Sequence, residues 1–79
     1  MLDISSLQAI IAYCFNELGM NRIGAEIYEF NTHSMRLFER NGFRLEGTKR
    51  QFIFKDGSFK DEYLYSLLRE EWESEKKLV

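Results

Sequence analysis

The dipeptide Asp56-Gly57 constrains the fold more than any other feature, because it separates two long runs of β-forming residues. A type I′ turn requires positive φ at both central residues, and Asp-Gly is one of the few pairs that accept it. The sequence therefore predicts a β-hairpin with strands at residues 43–55 and 59–68. Phe54 and Phe59 should face each other across its turn.

Residues 4–18 carry the strongest helical signal in the sequence. Their apolar side chains recur at three- and four-residue spacing along one stripe, formed by Ile4, Leu7, Ile10, Ile11, Cys14, Phe15 and Leu18. The start offers two caps, a capping box of Ser5 with Gln8 or the side chain of Asp3. Gly19 supplies a residue that can adopt the left-handed conformation after the last turn. Both ends of this helix are therefore marked.

The apolar pattern changes twice between this helix and the hairpin. Residues 22–30 alternate and carry apolar side chains on both faces, which predicts a strand buried on both sides. Residues 32–41 return to helical spacing, with Asn31 at the start and Gly42 after the end. Residues 69–79, which include Trp72, predict a short helical tail that frays at its end.

These elements predict an α+β (α/β) fold made by a single domain, residues 1–79. A right-handed crossover makes the strand at 43–55 parallel to the strand at 22–30, and the last strand fits antiparallel between them. The result is a three-stranded mixed sheet with two helices and a short C-terminal helical tail. The strand at 22–30 then lies at an edge without a neighbour. Either a missing segment or a partner covers it, and we expect a homodimer through this exposed strand edge or through a helix face.

Composition narrows the classes of function. The 11 Lys and Arg against 13 Asp and Glu give a net charge of -2, which argues against nucleic acid or an anionic membrane as partner. Apolar runs are far shorter than the roughly 20 residues of a membrane span. Cys14 is the single cysteine, which excludes an internal disulfide and a cysteine cluster for zinc and indicates a cytoplasmic location. We therefore expect no nucleic acid, no membrane and no metal.

One stretch of the chain resembles a known family. The segments Asn31-Thr32-His33-Ser34, Leu37-Phe38-Glu39-Arg40-Asn41-Gly42-Phe43 and Glu46-Gly47 are similar to a characteristic motif of the GNAT superfamily of acetyl-CoA-dependent N-acetyltransferases. The similarity is greatest to the subgroup with the ribosomal-protein N-terminal acetyltransferases, and loosely spaced motifs extend it over essentially the whole chain. It implies acetyl-CoA as cofactor and acetyl transfer to a primary amine of a small molecule or a protein N-terminus.

The resemblance also implies that the chain corresponds to the carboxyl-terminal half of a GNAT fold. In the family, the first half supplies the strand that binds the pantetheine arm and a glycine-rich loop that holds the pyrophosphate at a helix N-terminus. The present sequence contains neither feature. We therefore expect weak or absent acetyl-CoA binding and little activity from this chain alone, as a truncated enzyme. The alternative is a non-catalytic assembly module derived from the same fold.

Three residues are implied as cofactor contacts by the resemblance. Asn31 matches the asparagine that contacts the pantetheine arm, and a role as N-cap can coexist with this contact. Ser34 is a candidate proton donor or cofactor contact, although a small polar residue in a first helical turn is the simpler interpretation. Arg40 matches a basic position near the nucleotide end of the cofactor, and a solvated surface charge is its alternative.

The acid and base of the reaction are not identified by the sequence. Phe38 stands where many members have a tyrosine that protonates the leaving thiolate, and phenylalanine cannot do so. His33, the single histidine, is more simply an exposed neighbour of the cap than a catalytic group. A general base is sought among three hairpin carboxylates for which solvation is the simpler role, Glu46, Asp61 and Glu62. Catalytic residues thus stay unassigned, with Ser34 as the candidate.

Overall fold

The computed structural model describes residues 3–77, and its elements follow the predicted order. These elements are α1 (Ile4–Ala12), a π-helical turn (Tyr13–Glu17), β1 (Arg22–Tyr28), α2 (Thr32–Arg40), β2 (Arg44–Lys55), β3 (Ser58–Leu68) and α3 (Arg69–Lys77). The predicted tail is thus a helix, and the part of the predicted fraying at 78–79 lies outside the described residues. No helix within residues 3–77 has the length and apolarity needed to cross a membrane.

The three strands form one sheet in the order β1-β3-β2, so the last strand lies in the centre as predicted. Both hydrogen-bonded pairs are antiparallel. The sheet is therefore antiparallel throughout and not mixed as predicted, because β3 lies between β1 and β2, which run parallel to each other without being paired. The structure confirms the α+β class and places β1 at an edge of the sheet.

The hairpin turn has the predicted geometry. Asp56 and Gly57 both have positive φ, 53° and 83°, as a type I′ turn requires. Phe54 pairs with Phe59, and their ring centroids are 5.2 Å apart. The β2–β3 register shifts twice, between Leu45 and Gly47 and between residues 49 and 53. Neither irregularity follows from the sequence pattern.

The first helix differs from its predicted form at its carboxyl end. Asp3 is the N-cap and accepts a hydrogen bond from the Ser6 N–H at 2.8 Å, so the second of the two predicted caps is used. The sequence predicts one α-helix that continues to residue 18, but in the structure the α-helix ends at Ala12 and a π-helical turn follows at Tyr13–Glu17. Arg69 contacts this turn: its guanidinium donates to the Phe15 carbonyl oxygen, which belongs to the last turn of the helix, and to the Met20 carbonyl oxygen just beyond the helix.

The two faces of the sheet have different surroundings. The inner face, which carries the odd-numbered side chains of β1 and β3, packs against α1 and α2. Its buried core consists of Leu7, Ile11, Phe15, Ile27, Leu37, Phe43, Tyr65 and Leu67. The outer face carries the even-numbered side chains of the same strands, and at Gly24 and Glu26 it is exposed. The prediction that β1 is buried on both sides is therefore wrong.

Candidate functional site

The carboxyl end of β1 brings two predicted site residues together. Asn31 is the N-cap of α2, and its Oδ1 accepts a hydrogen bond from the Ser34 N–H at 3.3 Å. The Asn31 N–H donates to the Tyr28 carbonyl oxygen at 2.9 Å and closes the turn that leads into α2. Within residues 3–77 the Asn31 Nδ2 group makes no hydrogen bond, so the capping side chain retains two donors.

The third predicted cofactor residue lies apart from this pair. Ser34 is partly buried in the first turn of α2, whereas Arg40 is exposed in the last turn. Six residues at the helical rise separate them by about 9 Å along the axis. His33 is exposed beside the cap. The structure therefore groups Asn31 with Ser34 but not with Arg40.

Phe38, which stands where many members of the resembled family have a tyrosine, has a structural role. Its ring packs edge-on against Phe43 with centroids 4.9 Å apart, and it belongs to the apolar packing of the inner face. The side chain thus contributes to the core and offers no proton.

Among residues 3–77, β1 has a neighbouring strand on one side alone, so its other side presents a row of unpaired backbone groups. The Glu29 N–H donates to the Asp61 carbonyl oxygen at 3.0 Å. Because residues of an antiparallel ladder alternately face toward and away from the partner strand, odd-numbered residues of β1 face β3. The alternation directs the N–H and C=O groups of Gly24 and Glu26, and the Tyr28 N–H, to the free side. An extended ligand or another strand can bind such an edge.

Asp61, one of the candidate bases, has a structural role. Its Oδ1 accepts from the Gln51 N–H at 2.8 Å, and Gln51 has a positive φ of 51°. Its own N–H donates to the Glu29 Oε1 at 2.8 Å. These contacts fix the irregular stretch of β2 against the end of β1, so the Asp61 carboxylate is engaged in the fold.

Glu46 is a poor candidate for a base at neutral pH. Arg22 Nη1 donates to its Oε2 at 3.0 Å, and Ser66 Oγ donates to the same oxygen at 2.8 Å. The hydrogen bond from Arg22 first, and that from Ser66 second, lower the pKa of the Glu46 carboxyl. A carboxylate with a lowered pKa accepts a proton less readily in the neutral range.

Glu62 differs from the other two carboxylates. It is only 4% exposed although it lies on the outer face, and its Oε1 has no hydrogen-bond partner within residues 3–77. The Lys49 Nζ lies 3.6 Å from this oxygen and 3.5 Å from the Glu26 Oε1. Neither Lys49 nor Glu26 was singled out by the sequence. In residues 3–77 no group of three His, Cys, Asp or Glu side chains is placed to hold a metal ion.

Comparison with known proteins identifies the family. The profile of the acetyltransferase (GNAT) domain matches residues 3–64. The chain therefore belongs to the GNAT acetyltransferases, a family that uses acetyl-CoA, as the resemblance of its second-helix segment implied.

Named relatives agree with this assignment. The chain is 38% identical over 72 residues to the putative ribosomal N-acetyltransferase YdaF of Bacillus subtilis, an alignment that covers 91% of this chain and 39% of that protein. It is 40% identical over 65 residues to the uncharacterized N-acetyltransferase YnaD of the same organism, covering 82% and 38%. The chain thus spans a little over a third of the length of these relatives.

Solved structures show the same partial fold. A GNAT-family acetyltransferase from Bacillus anthracis is 37% identical, with a TM-score of 0.76 over 86% of this chain and 41% of that one. Mutant forms of the spermidine/spermine N-acetyltransferase SpeG from Vibrio cholerae give a TM-score of 0.81 at 21% identity, covering 91% and 43%. The second likeness concerns the fold alone. Together they confirm a partial GNAT-like α+β fold.

Proposed function

We propose that this chain supplies one wall of an N-acetyltransferase site, in which the free edge of β1 and Asn31 line the pantetheine arm of acetyl-CoA on the side opposite the pantetheine-binding strand of the first half. The observation that supports this is the row of free backbone groups at Gly24, Glu26 and Tyr28, which leads to Asn31. Pantetheine is an extended chain with amide groups, and an amide can pair with a strand edge as a neighbouring strand does. The free Asn31 Nδ2 group adds a donor at the end of that edge.

The reaction we propose is direct acetyl transfer to a primary amine of a small molecule or a protein N-terminus. The amine nitrogen attacks the thioester carbonyl carbon, a C–N bond forms, the C–S bond breaks, and the amine loses a proton as the thiolate gains one. Ser34 is our candidate for the proton donor, since Phe38 cannot act. Arg40, about 9 Å further along α2, is assigned to the more distant nucleotide part of the cofactor.

We further propose that the 79-residue chain alone binds acetyl-CoA weakly and has little activity. A pyrophosphate binds best where free backbone N–H groups and the positive end of a helix meet. At the start of α1 the Asp3 carboxylate occupies this position and accepts the Ser6 N–H. The negative charge disfavours a second anion there.

Calorimetry with acetyl-CoA tests the strength of binding. We expect no low-micromolar dissociation constant for the purified 79-residue chain, and such a constant would overturn the proposal of weak binding. A nuclear magnetic resonance titration tests where acetyl-CoA binds. We expect acetyl-CoA to shift the amide signals of Gly24, Glu26, Tyr28 and Asn31.

Substitution of Asn31 separates the cap from the cofactor contact. Asn31→Ala should remove both, with a stability loss of about 1 kcal/mol for the cap. Asn31→Ser keeps a capping oxygen but removes the amide donors, so it should keep the stability and still weaken the acetyl-CoA shifts. Unchanged shifts in Asn31→Ser would leave Asn31 as a cap alone.

The alternative function uses the same edge. We propose as the second candidate a non-catalytic homodimer in which β1 pairs antiparallel with β1 of a second copy. If this pairing is centred on Gly24, Arg22 of each copy lies opposite Glu26 of the other copy. Opposite charges at such positions form a favourable cross-strand pair. Sedimentation that shows only monomer at concentrations of tens of micromolar would contradict it, as would a dimer unaffected by Arg22→Glu.

A further inference from the structure

The outer face holds an ammonium group between two carboxylates and an aromatic ring. The Lys49 Nζ lies 3.5 Å from the Glu26 Oε1, 3.6 Å from the Glu62 Oε1 and 4.9 Å from the Phe52 ring centroid. The Tyr28 ring stacks on the Phe52 ring, with centroids 6.4 Å apart. Carboxylates combined with an aromatic face recognise alkylammonium groups.

Lys49 does not satisfy this arrangement. Both nitrogen–oxygen distances exceed the 2.7–3.2 Å typical of such hydrogen bonds. The Glu62 Oε1 is left without a hydrogen bond within residues 3–77, although Glu62 is 4% exposed. A buried carboxylate oxygen without a donor is unfavourable. A cation that donates a hydrogen bond to the Glu62 Oε1 would therefore gain an interaction that Lys49 does not make.

Lys49 can leave Glu26 at low cost, whereas the buried Glu62 carboxylate, whose side chain is 5% exposed, requires another cation in its place. The Lys49 side chain is 40% exposed, and that of Glu26 is 56% exposed, so the pair is open to solvent on one side. Partly exposed ion pairs of this kind contribute little stability. The long lysine stem allows its ammonium to move into water without any change of the backbone.

We propose that Glu26, Glu62 and Phe52 form a binding site for the alkylammonium group of a ligand, and that Lys49 occupies this site until the ligand displaces it. An untethered ammonium has three N–H donors, so it can donate to the Glu62 Oε1 and to Glu26 together while it contacts the ring. Glu26 belongs to β1, beside the free edge. Interpreting the ligand as the acceptor amine rests on the proposed function.

Titration of the isotope-labelled 79-residue chain with n-butylamine, without acetyl-CoA, tests the site. We expect saturable shifts of the backbone amides of Glu26, Lys49, Phe52 and Glu62, and none with the uncharged n-butanol. Tetramethylammonium keeps the charge but has no N–H donor, so it should bind about tenfold more weakly than n-butylamine. Equal binding of the two cations would overturn the role of the Glu62 oxygen.

Lysine variants test whether the Lys49 ammonium competes with n-butylamine for the site. Lys49→Met removes the competing group and keeps the apolar stem, so n-butylamine should bind up to about fivefold more tightly. Lys55→Met is the matched control, because Lys55 lies over the Phe30 ring, 5.2 Å from its centroid, in no ion pair with a described carboxylate. It should leave the affinity unchanged.

Loss of a carboxylate should weaken binding. Glu62→Gln should reduce the affinity about tenfold. The Glu26 side chain is 56% exposed, so we expect Glu26→Gln to fold and to weaken binding in the same way. It therefore tests the site even if Glu62→Gln impairs folding. Unaltered affinity in both Lys49→Met and Glu26→Gln, or shifts elsewhere, would overturn the proposal. The titration contains no acetyl-CoA, so a failure of the chain to transfer acetyl groups would not affect this result. Conversely, absence of n-butylamine binding would not contradict the proposal that the β1 edge lines the pantetheine arm.

Discussion

The inner and outer faces of the same sheet use their residues differently. On the inner face, buried apolar side chains meet two helices, and the Tyr65 hydroxyl donates to the Glu39 Oε2 at 2.9 Å. On the outer face, alternate residues of the same strands form ion pairs, and one buried carboxylate oxygen has no donor in the part of the chain that the structure describes. In β3, the side chains of Tyr65 and Leu67 in the buried core therefore alternate with outer-face side chains such as Glu62 and Ser66.

This contrast suggests where to look for function. Apolar burial on the inner face stabilises the fold without any ligand. Charged groups on the outer face cost desolvation energy that their long, partly exposed contacts return incompletely. On the outer face, folding leaves charged groups without close hydrogen-bond partners, and this face lies next to a strand edge with free backbone groups. We therefore look for a ligand site on this face.

Truncation of neighbouring leucines should give the largest difference between the faces. Leu67 is 0% exposed in the inner core, and Leu67→Ala should destabilise the chain by about 3 kcal/mol, since it removes contacts and leaves a cavity. Leu64 lies on the outer face and is partly buried, so Leu64→Ala should cost about 1 kcal/mol. Urea denaturation measures both. Equal losses would contradict the assignment of stability to the inner face.

Most of the fold on which this comparison rests could be predicted from the sequence. Asp56-Gly57 defines the hairpin, and the change between helical and alternating spacing defines the order of the other elements. The π-helical turn does not follow from the apolar spacing, and one of its carbonyl oxygens, that of Phe15, accepts a hydrogen bond from Arg69, which is far away in sequence. Local pattern contains no information about such a long-range contact.

The candidate site could be predicted only in part. Asn31 and Ser34 are neighbours in sequence, so their proximity follows from the helix start. The pairing of Lys49 with Glu62 does not follow, because regular pairing counted from the turn places Gln51 opposite Glu62. The register shift between residues 49 and 53 brings Lys49 there instead. That shift accompanies the hydrogen bond from the Gln51 N–H to Asp61, a contact between strands.

Tyr65 should make the inner face sensitive to alkali. Burial first, and the hydrogen bond to Glu39 second, raise the pKa of Tyr65 from 10.0 to about 12. The folded state therefore favours the neutral phenol. Its contribution to stability is complete below pH 10 and is lost as the pH rises from 10 to about 12.

The variant Tyr65→Phe isolates this effect. It should cost about 1 kcal/mol at neutral pH, because one hydrogen bond is lost while the exposed Glu39 carboxylate can still bind water. Above pH 10 its stability should fall less steeply than that of the unsubstituted chain, as urea midpoints and tyrosinate absorbance would show. An identical alkaline loss in both chains would exclude Tyr65 as its source.

Glu46 should give the smallest effect, at the opposite end of the pH range. Hydrogen bonds from Arg22 and then from Ser66 lower the pKa of Glu46 below 4.5. A lowered pKa in the folded state means that the contribution to stability is present above pH 4.5 and is lost as the pH falls through the lower, folded value. Exposure and salt screening keep this contribution small.

The measurement compares denaturation midpoints at neutral pH and about one unit below the ordinary glutamate value of 4.5, in low and in high salt. Glu46→Gln should flatten the acid loss, and high salt should reduce the difference between the two chains, because the ion pair with Arg22 is exposed. Ser66→Ala is the graded control, since it removes the second hydrogen bond and leaves the ion pair. If Glu46→Gln changed the alkaline limb instead of the acid limb, the separation of the two faces by their titrating groups would be wrong.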